Sequence, residues 1–279
     1  MAETEGSPRV LVGMIDGPVD VTHPDLAGAP ISSVGTGTGA ACRVSGSEAC
    51  HHGTFVAGIL AARRGGQAPA ICPGCPLRVR PIFCEAATID ACPVVTADEL
   101  AQAVAECVDA GVKVLNMSLG LTSSTLADAP ALREALGYAA GRGVLLVAAA
   151  GNGGGIGPVP LFRHPAVLPV AACDAAGRPL PTSNLGVGVG RGGLLAPGTL
   201  RSTVPGGGYR QMSGTSAAAA LVSGAAALLW SLHPGAPAAA LRSALLRPGT
   251  RRGSIVPPLL DVAQSRAALA AAHPQRIAR

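Results

Sequence analysis

Short apolar blocks recur along the chain, separated by stretches rich in Gly, Pro, Ser and Thr. Arg9 to Ile15, Arg78 to Phe83, Val112 to Ser118, Val144 to Ala150 and Val167 to Ala172 have the length and apolar character of strands. Val144 to Ala150 is apolar throughout, as in a strand covered on both faces of a parallel sheet. Between these runs lie helical patterns. Gly53 to Ala62 has helical apolar spacing, and Thr96-Ala97-Asp98-Glu99 has capping-box spacing that starts a helix to about Asp109. Asp128 and Pro130 open another helix that Gly141 closes, Pro237 starts a further one, and a last helix covers about Asp261 to Ala272. Residues 17 to 50 read as loop. Strand and helix alternate throughout, which predicts one α/β domain over residues 1–279, with a mostly parallel central sheet and helices on both faces. In such sheets ligands bind beyond the C-terminal strand ends.

One block differs from the rest. Met212-Ser213-Gly214-Thr215-Ser216 opens onto Ala217 to Trp230, interrupted only by Ser223 and Gly224, and this predicts a helix buried on all sides. The run is shorter than the ~20 apolar residues a membrane span needs. Ser216 therefore sits where a buried helix begins, among free N–H groups at the positive end of the helix dipole. A serine there serves equally well as a helix cap or as a nucleophile whose developing negative charge that environment favours.

Composition narrows the function classes. Aromatic residues make up 2% of the chain, so the core is built from Ala, Val and Leu, and the composition argues against base-stacking nucleic-acid modules. The net charge of +5 is scattered and reads as a solvated surface. Met1 to Gly6 is acidic and polar, with no basic-then-apolar signal pattern, so neither membrane attachment nor export is expected and the cytoplasm is the expected location. Cysteines stand at 42, 50, 72, 75, 84, 92, 107 and 173. Cys72-Pro73-Gly74-Cys75 has metal- or redox-type spacing, but no second close pair completes a zinc set. Cys42 and Cys50 flank a loop that would let them pair, and Cys107 and Cys173 read as buried thiols. One or two disulfides at most are expected, and no cofactor.

If Ser216 is a nucleophile, it needs a base, an orienting group and an oxyanion donor. Asp16 ends the first strand, His52 opens a helix, and Asn152 follows the buried strand in Gly151-Asn152-Gly153. Singly, these read as a turn aspartate, a surface or capping histidine and an ordinary turn. Their order, Asp then His then Ser, each at a junction of elements, is that of subtilisin-type enzymes. Ile15-Asp16-Gly17, His52 to Gly58, Ala150-Gly151-Asn152 and Gly214 to Ala218 resemble the signature segments of the subtilase family, and Val114 to Gly120 resembles its substrate-binding strand. The resemblance runs from about Arg9 to Leu246. Asp16 to Asp20 with His23-Pro24, Arg80 to Phe83, Ser183 to Gly186 and Leu195 to Gly198 are further similar to the proteases that mature cyanobactin-type ribosomal peptides.

The resemblance implies a subtilisin-like three-layer fold and a serine endopeptidase without cofactor. In it Ser216 attacks, His52 is the base, Asp16 orients it, and the Asn152 amide with the Ser216 N–H binds the oxyanion. It also implies that Ser118, Leu119 and Gly120 pair with a peptide substrate, the leader or core of a precursor, as an added strand, while Ala150 and Gly151 line the pocket before the scissile bond. Two positions depart from the family pattern: Ala220 stands where proline is usual and Phe55 where a second histidine is common. Arg63-Arg64-Gly65-Gly66-Gln67 offers no carboxylates where subtilases often carry a calcium loop, so no metal is expected there. The first strand starts near Arg9, so no folding pro-segment is expected. Two other readings stay open: a macrocyclising transpeptidase of the same fold, and an inactive binding scaffold. Macrocyclases of the cyanobactin family carry an inserted helix pair near the site. No such insertion is visible between His52 and Arg78, and Cys84 to Thr96 leaves room only for a small loop.

Overall fold

The computed structural model describes residues 4–35, 41–86, 92, 94–119, 129–157, 159–246 and 254–273. Among them, seven strands form one sheet: β1 (Val12–Asp16), β2 (Ile31–Ser33), β3 (Leu77–Pro81), β4 (Val114–Met117), β5 (Leu145–Ala149), β6 (Val167–Cys173) and β7 (Leu194–Pro197). Their spatial order is β2-β3-β1-β4-β5-β6-β7, and every neighbouring pair is parallel. The helices are α1 (Glu48–Ala61), α2 (Ala97–Asp109), α3 (Pro130–Gly141), α4 (Val187–Gly192), α5 (Thr215–Leu232), α6 (Ala238–Leu246) and α7 (Val262–Ala272). A separate antiparallel hairpin pairs β8 (Thr199–Val204) with β9 (Gly208–Ser213). This is the mostly parallel α/β architecture that the alternating blocks predict.

Both faces of the sheet are covered, and the strands' side chains divide between them. Val12 and Met14 of β1, with Leu145, Val147 and Ala149 of β5, join α1, α5 and α6 in one core. Ile15, Leu146 and Ala148 point the other way, into a second core with Leu100 and Val104 of α2 and Leu132 and Leu136 of α3. That two-sided burial is why β5 reads as continuously apolar rather than alternating. The Thr96–Glu99 capping box starts α2 as its spacing predicts. Asp128 lies outside the described residues, and α3 starts at Pro130 behind Ala129 with no side-chain cap.

Helix α5 is the central element of the first face and packs against β4, β5, β6 and β7. It is 18 residues long and apolar enough to cross a membrane by length and composition, but 78% of it is buried within the fold. Its early turns carry only Ala at 217–220, so its axis approaches the sheet closely, and burial of Leu228 and Leu229 contributes roughly 1.5–3 kcal/mol each.

The sequence reading misses several elements. Strand β2 lies inside the segment read as loop; it has three residues, two of them serine, and among the described residues it pairs with β3 alone. Helix α1 begins at Glu48, before the apolar spacing starts, because the Ser47 hydroxyl accepts the Cys50 N–H at 3.1 Å. Hairpin β8–β9 is polar, yet the Ser202 and Thr203 hydroxyls are buried and donate to the Phe55 and Thr54 carbonyls of α1, both at 2.8 Å. Hydroxyl-to-backbone pairing replaces apolar periodicity there, so the period-2 signal is absent. Two disulfides are present, Cys42–Cys50 and Cys84–Cys92, while Cys72, Cys75, Cys107 and Cys173 are buried thiols.

Candidate active site

Because every sheet pairing is parallel, the C-terminal strand ends lie along one edge. Ile15 of β1 pairs with Met117 of β4, Met117 with Ala148 of β5, and Ala149 with Val170 of β6. Asp16, Ser118 and the loop that begins at Ala150 therefore emerge together.

Asp16 is fully buried. Its Oδ1 accepts the Gly17 N–H at 2.7 Å and lies 2.6 Å from His52 Nδ1. Two glycines bring the histidine this close. A Cβ on Gly17 would stand 1.9 Å from the Ala49 carbonyl oxygen, and one on Gly53 would stand 2.3 Å from the Pro18 carbonyl oxygen. Only bare backbone lets the first turns of α1 lie against the chain leaving β1. The Cys42–Cys50 disulfide ties a second segment to the same turn. The His52 side chain retains 28% exposure, so one edge of the ring faces outward. Burial works against its charged form, but the Asp16 charge, its hydrogen bond and the more distant Glu48 outweigh burial and hold the imidazole pKa above its usual value of 6.5.

Ser216 is the second residue of α5 and is half-buried. No side chain caps this helix by its own N-cap residue, Gly214, and Ser216 lies inside the helix rather than at the cap. The first helical N–H, on Thr215, is instead taken by Asn152 Oδ1 at 2.9 Å, which also accepts from Thr215 Oγ1 at 3.1 Å. Thr215 Oγ1 accepts the Gly151 N–H at 3.0 Å. The loop after β5 is thus stitched to the start of α5, and with the Asn152 oxygen engaged, its amide NH2 remains as the donor end. That end passes 3.0 Å from where a Cβ on Gly214 would stand, which accounts for a glycine there.

The expected substrate strand divides. Ser118 and Leu119 are buried; Ser118 Oγ accepts from Asn116 Nδ2 at 2.8 Å, and Leu119 packs in the core with α2 and α3. Their side chains therefore do not line a surface that a peptide could read. Gly120 lies outside the described residues. Ala150 is buried, and Gly151 adopts φ +98° with Asn184 Nδ2 2.5 Å from the site of a Cβ.

Three positioning residues were not read from the sequence. Asn184 donates to the Ala150 carbonyl at 3.1 Å and accepts the Gly153 and Gly155 N–H groups, both at 3.1 Å, so it shapes the loop carrying Asn152. Thr215 ties that loop to α5. Asn116, fully buried, accepts from Ser223 of α5 at 3.0 Å and so links that helix to Ser118. The signal for Asn184 lies in Ser183-Asn184-Leu185-Gly186, which contributes to the resemblance without disclosing a role.

At the opposite end of α1, Asp25 is buried and already paired. Its Oδ1 accepts from Arg63 Nε at 3.0 Å and its Oδ2 from the Tyr209 hydroxyl at 2.6 Å. Among the described residues, the one grouping with metal-like geometry is Cys42, Cys50 and Glu85, whose sulfurs are joined to each other in a disulfide.

A family model described as the subtilase family matches residues 7–258. The chain belongs to the subtilase family of subtilisin-like serine proteases. It is 35% identical over 231 residues to a thermophilic serine proteinase of Bacillus sp. (strain AK1), covering 81% of this chain but 53% of that protein, so it spans about half of that relative's length. Among solved structures, a serine-to-alanine mutant of the protease domain of PatA superposes with a TM-score of 0.85 at 35% identity, covering 98% of this chain and 99% of the other. The prenylagaramide maturation protease PagA superposes with a TM-score of 0.82 at 29% identity, covering 96% of each chain. The subtilisin-like fold and the likeness to cyanobactin maturation proteases are as the sequence motifs imply.

Proposed function

We propose that this subtilase is a serine endopeptidase acting on a ribosomally made precursor peptide. Ser216 attacks the scissile carbonyl while His52 removes its proton. His52 then returns that proton to the leaving amine, and water repeats the cycle on the acyl-enzyme. Asp16 fixes the tautomer by holding Nδ1 and stabilises the imidazolium. The Asn152 amide and the Ser216 N–H receive the oxyanion. The observation that carries this reading is the 2.6 Å contact of Asp16 with His52, on the sheet edge where Asn152 is tied to the start of α5. The helix start adds its own positive potential to the oxyanion site.

The precursor-peptide substrate rests on the likeness to PatA and PagA. A peptide would lie along the backbone after β4 as an added strand, with Ala150 and Gly151 beside the residue before the cut. On this reading hydrolysis is favoured over macrocyclisation because residues 62–76, between α1 and β3, contain no helix to keep water from the acyl-enzyme, while the other candidate segment, Cys84 to Thr96, lies partly outside the described residues. Mass spectrometry of a precursor peptide after incubation tests both points. Linear fragments whose masses sum to the precursor plus one water are expected. A dominant product without that water would establish transpeptidation, and an untouched precursor would remove the substrate assignment.

A further inference from the structure

The Cys72–Cys75 turn takes no part in the site above, yet it is the most specifically built group of reactive side chains elsewhere in the fold. The Cys75 N–H donates to the Cys72 carbonyl at 2.9 Å, closing a four-residue turn over Pro73 and Gly74. The turn is anchored on both sides: Cys72 N–H donates to the Leu60 carbonyl of α1 at 2.9 Å, and Gly74 N–H to the Glu5 carbonyl at 2.7 Å. First and fourth positions of such a turn bring their side chains together, which sets the Cys72 and Cys75 thiols side by side. The Cys75 sulfur also lies 3.7 Å from the Ser231 hydroxyl. The Arg64 guanidinium, which donates to the Thr4 carbonyl at 2.6 Å, adds positive charge beside Cys72.

We propose that Cys72 and Cys75 form a redox-active dithiol that closes to an intramolecular disulfide by exchange with a small disulfide such as oxidised glutathione, Cys75 attacking first. The Cys75 thiolate attacks one sulfur of the oxidant, whose S–S bond breaks and releases one thiolate. Cys72 then gives up its proton and attacks Cys75 of the mixed disulfide, releasing the second thiolate. Two protein thiols are oxidised and one disulfide is reduced to two thiols.

The environment assigns the order of the two sulfurs. The neighbouring Cys72 thiol, aided by the Ser7 backbone and Ser231 against burial, pulls the Cys75 thiol below the ordinary range, while the Cys75 thiol and burial push Cys72 well above it. The other two thiols lack any such arrangement. Burial pushes Cys107 up to about 12, and burial with the Asp174 charge raises Cys173. Both cysteines are buried, and the N-terminal segment lies directly against the Cys75 sulfur, since a Cβ on Gly6 would stand 2.4 Å from Cys75 Sγ. Exchange therefore requires this segment to lift, which breaks its hydrogen bonds to Gly74 and Arg64. The turn lies at the far ends of α1 and α5 from His52 and Ser216, so closing it alters the hold on the N-terminal segment rather than the site.

The test equilibrates the full chain across a series of reduced-to-oxidised glutathione ratios, quenches with iodoacetamide in denaturant, and maps the thiols by mass. The peptide holding Cys72 and Cys75 is expected to lose two hydrogens and escape alkylation at ratios that leave Cys107 and Cys173 fully alkylated. Cys72→Ser should trap glutathione on Cys75, whereas Cys75→Ser should leave Cys72 unmodified. Where a variant fails to fold, the rate of iodoacetamide reaction in the native wild type serves instead, with Cys75 at least tenfold faster than Cys107. Full alkylation of the pair at the most oxidising ratio, or oxidation in step with Cys107 and Cys173, would overturn the proposal.

Discussion

Asp16 Oδ1 holds two donors at once, the Gly17 N–H at 2.7 Å and His52 Nδ1 at 2.6 Å. The first fixes the carboxylate to its own strand end, so the second fixes the imidazole to the sheet. The ring's orientation is therefore a property of the core, not of the solvent-facing loop around it.

Replacing Asp16 by Asn keeps the shape but presents a neutral group to Nδ1. On the account above, kcat falls by about 10⁴-fold, the size seen when this substitution disrupts an Asp-His-Ser triad. The pH profile moves as well. Asp16 and Glu48 raise the His52 pKa, so in wild type the base form, and with it kcat/KM, appears only as pH rises through a value above 6.5. The same shift makes protonated His52 a stabilising group: its contribution is complete below the unfolded pKa and is lost as pH rises through the folded value. In Asp16→Asn the activity midpoint should move to lower pH. Steady-state kinetics on a fluorogenic peptide across the neutral range checks both effects.

The Asn152 oxygen is held by Thr215, and its NH2 is the oxyanion donor of the proposed mechanism. Asn152→Ala removes the oxyanion donor and should lower kcat by about 10²–10³ with little change in KM, the loss a subtilisin shows on losing one such donor. Thr215→Val keeps the amide but frees the loop that its hydroxyl ties to Gly151 and Asn152. It should produce a smaller loss of kcat, and an equal loss would mean that the tether rather than the donor carries the effect.

Buried Asn116 joins Ser118 to Ser223 of α5 at 2.8 and 3.0 Å. Asn116→Ala strands two buried hydroxyls, at a cost of about 1–3 kcal/mol each. A lower Tm and a raised KM are expected, because the backbone after β4 loses its tie to α5. Thermal unfolding with KM on the same samples checks this, and an unchanged KM would separate the network from peptide binding.

These networks mark the boundary of what the chain discloses by pattern. Sheet and helices were legible because β1, β4 and β5 bury both faces and α2 carries its capping box in four consecutive residues. The candidate site was legible because Asp16, His52, Asn152 and Ser216 stand in compact motifs at the ends of those elements. Hairpin β8–β9 was not legible, since its buried hydroxyls bond to carbonyls of α1 and leave no apolar period. Nor was Asn184, which acts through three backbone groups some thirty residues away in sequence. The capping of α5 by Asn152 instead of its own residues likewise depends on a contact that only the folded chain makes.

Activity is expected to survive chelators. Asp25, the buried carboxylate beside the turn after α1, already has Arg63 and Tyr209 as partners. Assay after exhaustive EDTA treatment checks this, and recovery on adding calcium or zinc would place a metal in the reaction.

The most direct measurement is covalent labelling of the nucleophile. Wild-type protein treated with a fluorophosphonate and mapped by mass should carry a single adduct on Ser216, at a rate reduced in Asp16→Asn. Ser216→Ala should take no label and cleave no peptide while keeping the wild-type Tm. An adduct on another residue, or peptide cleavage by Ser216→Ala at more than a trace of the wild-type rate, would contradict the account.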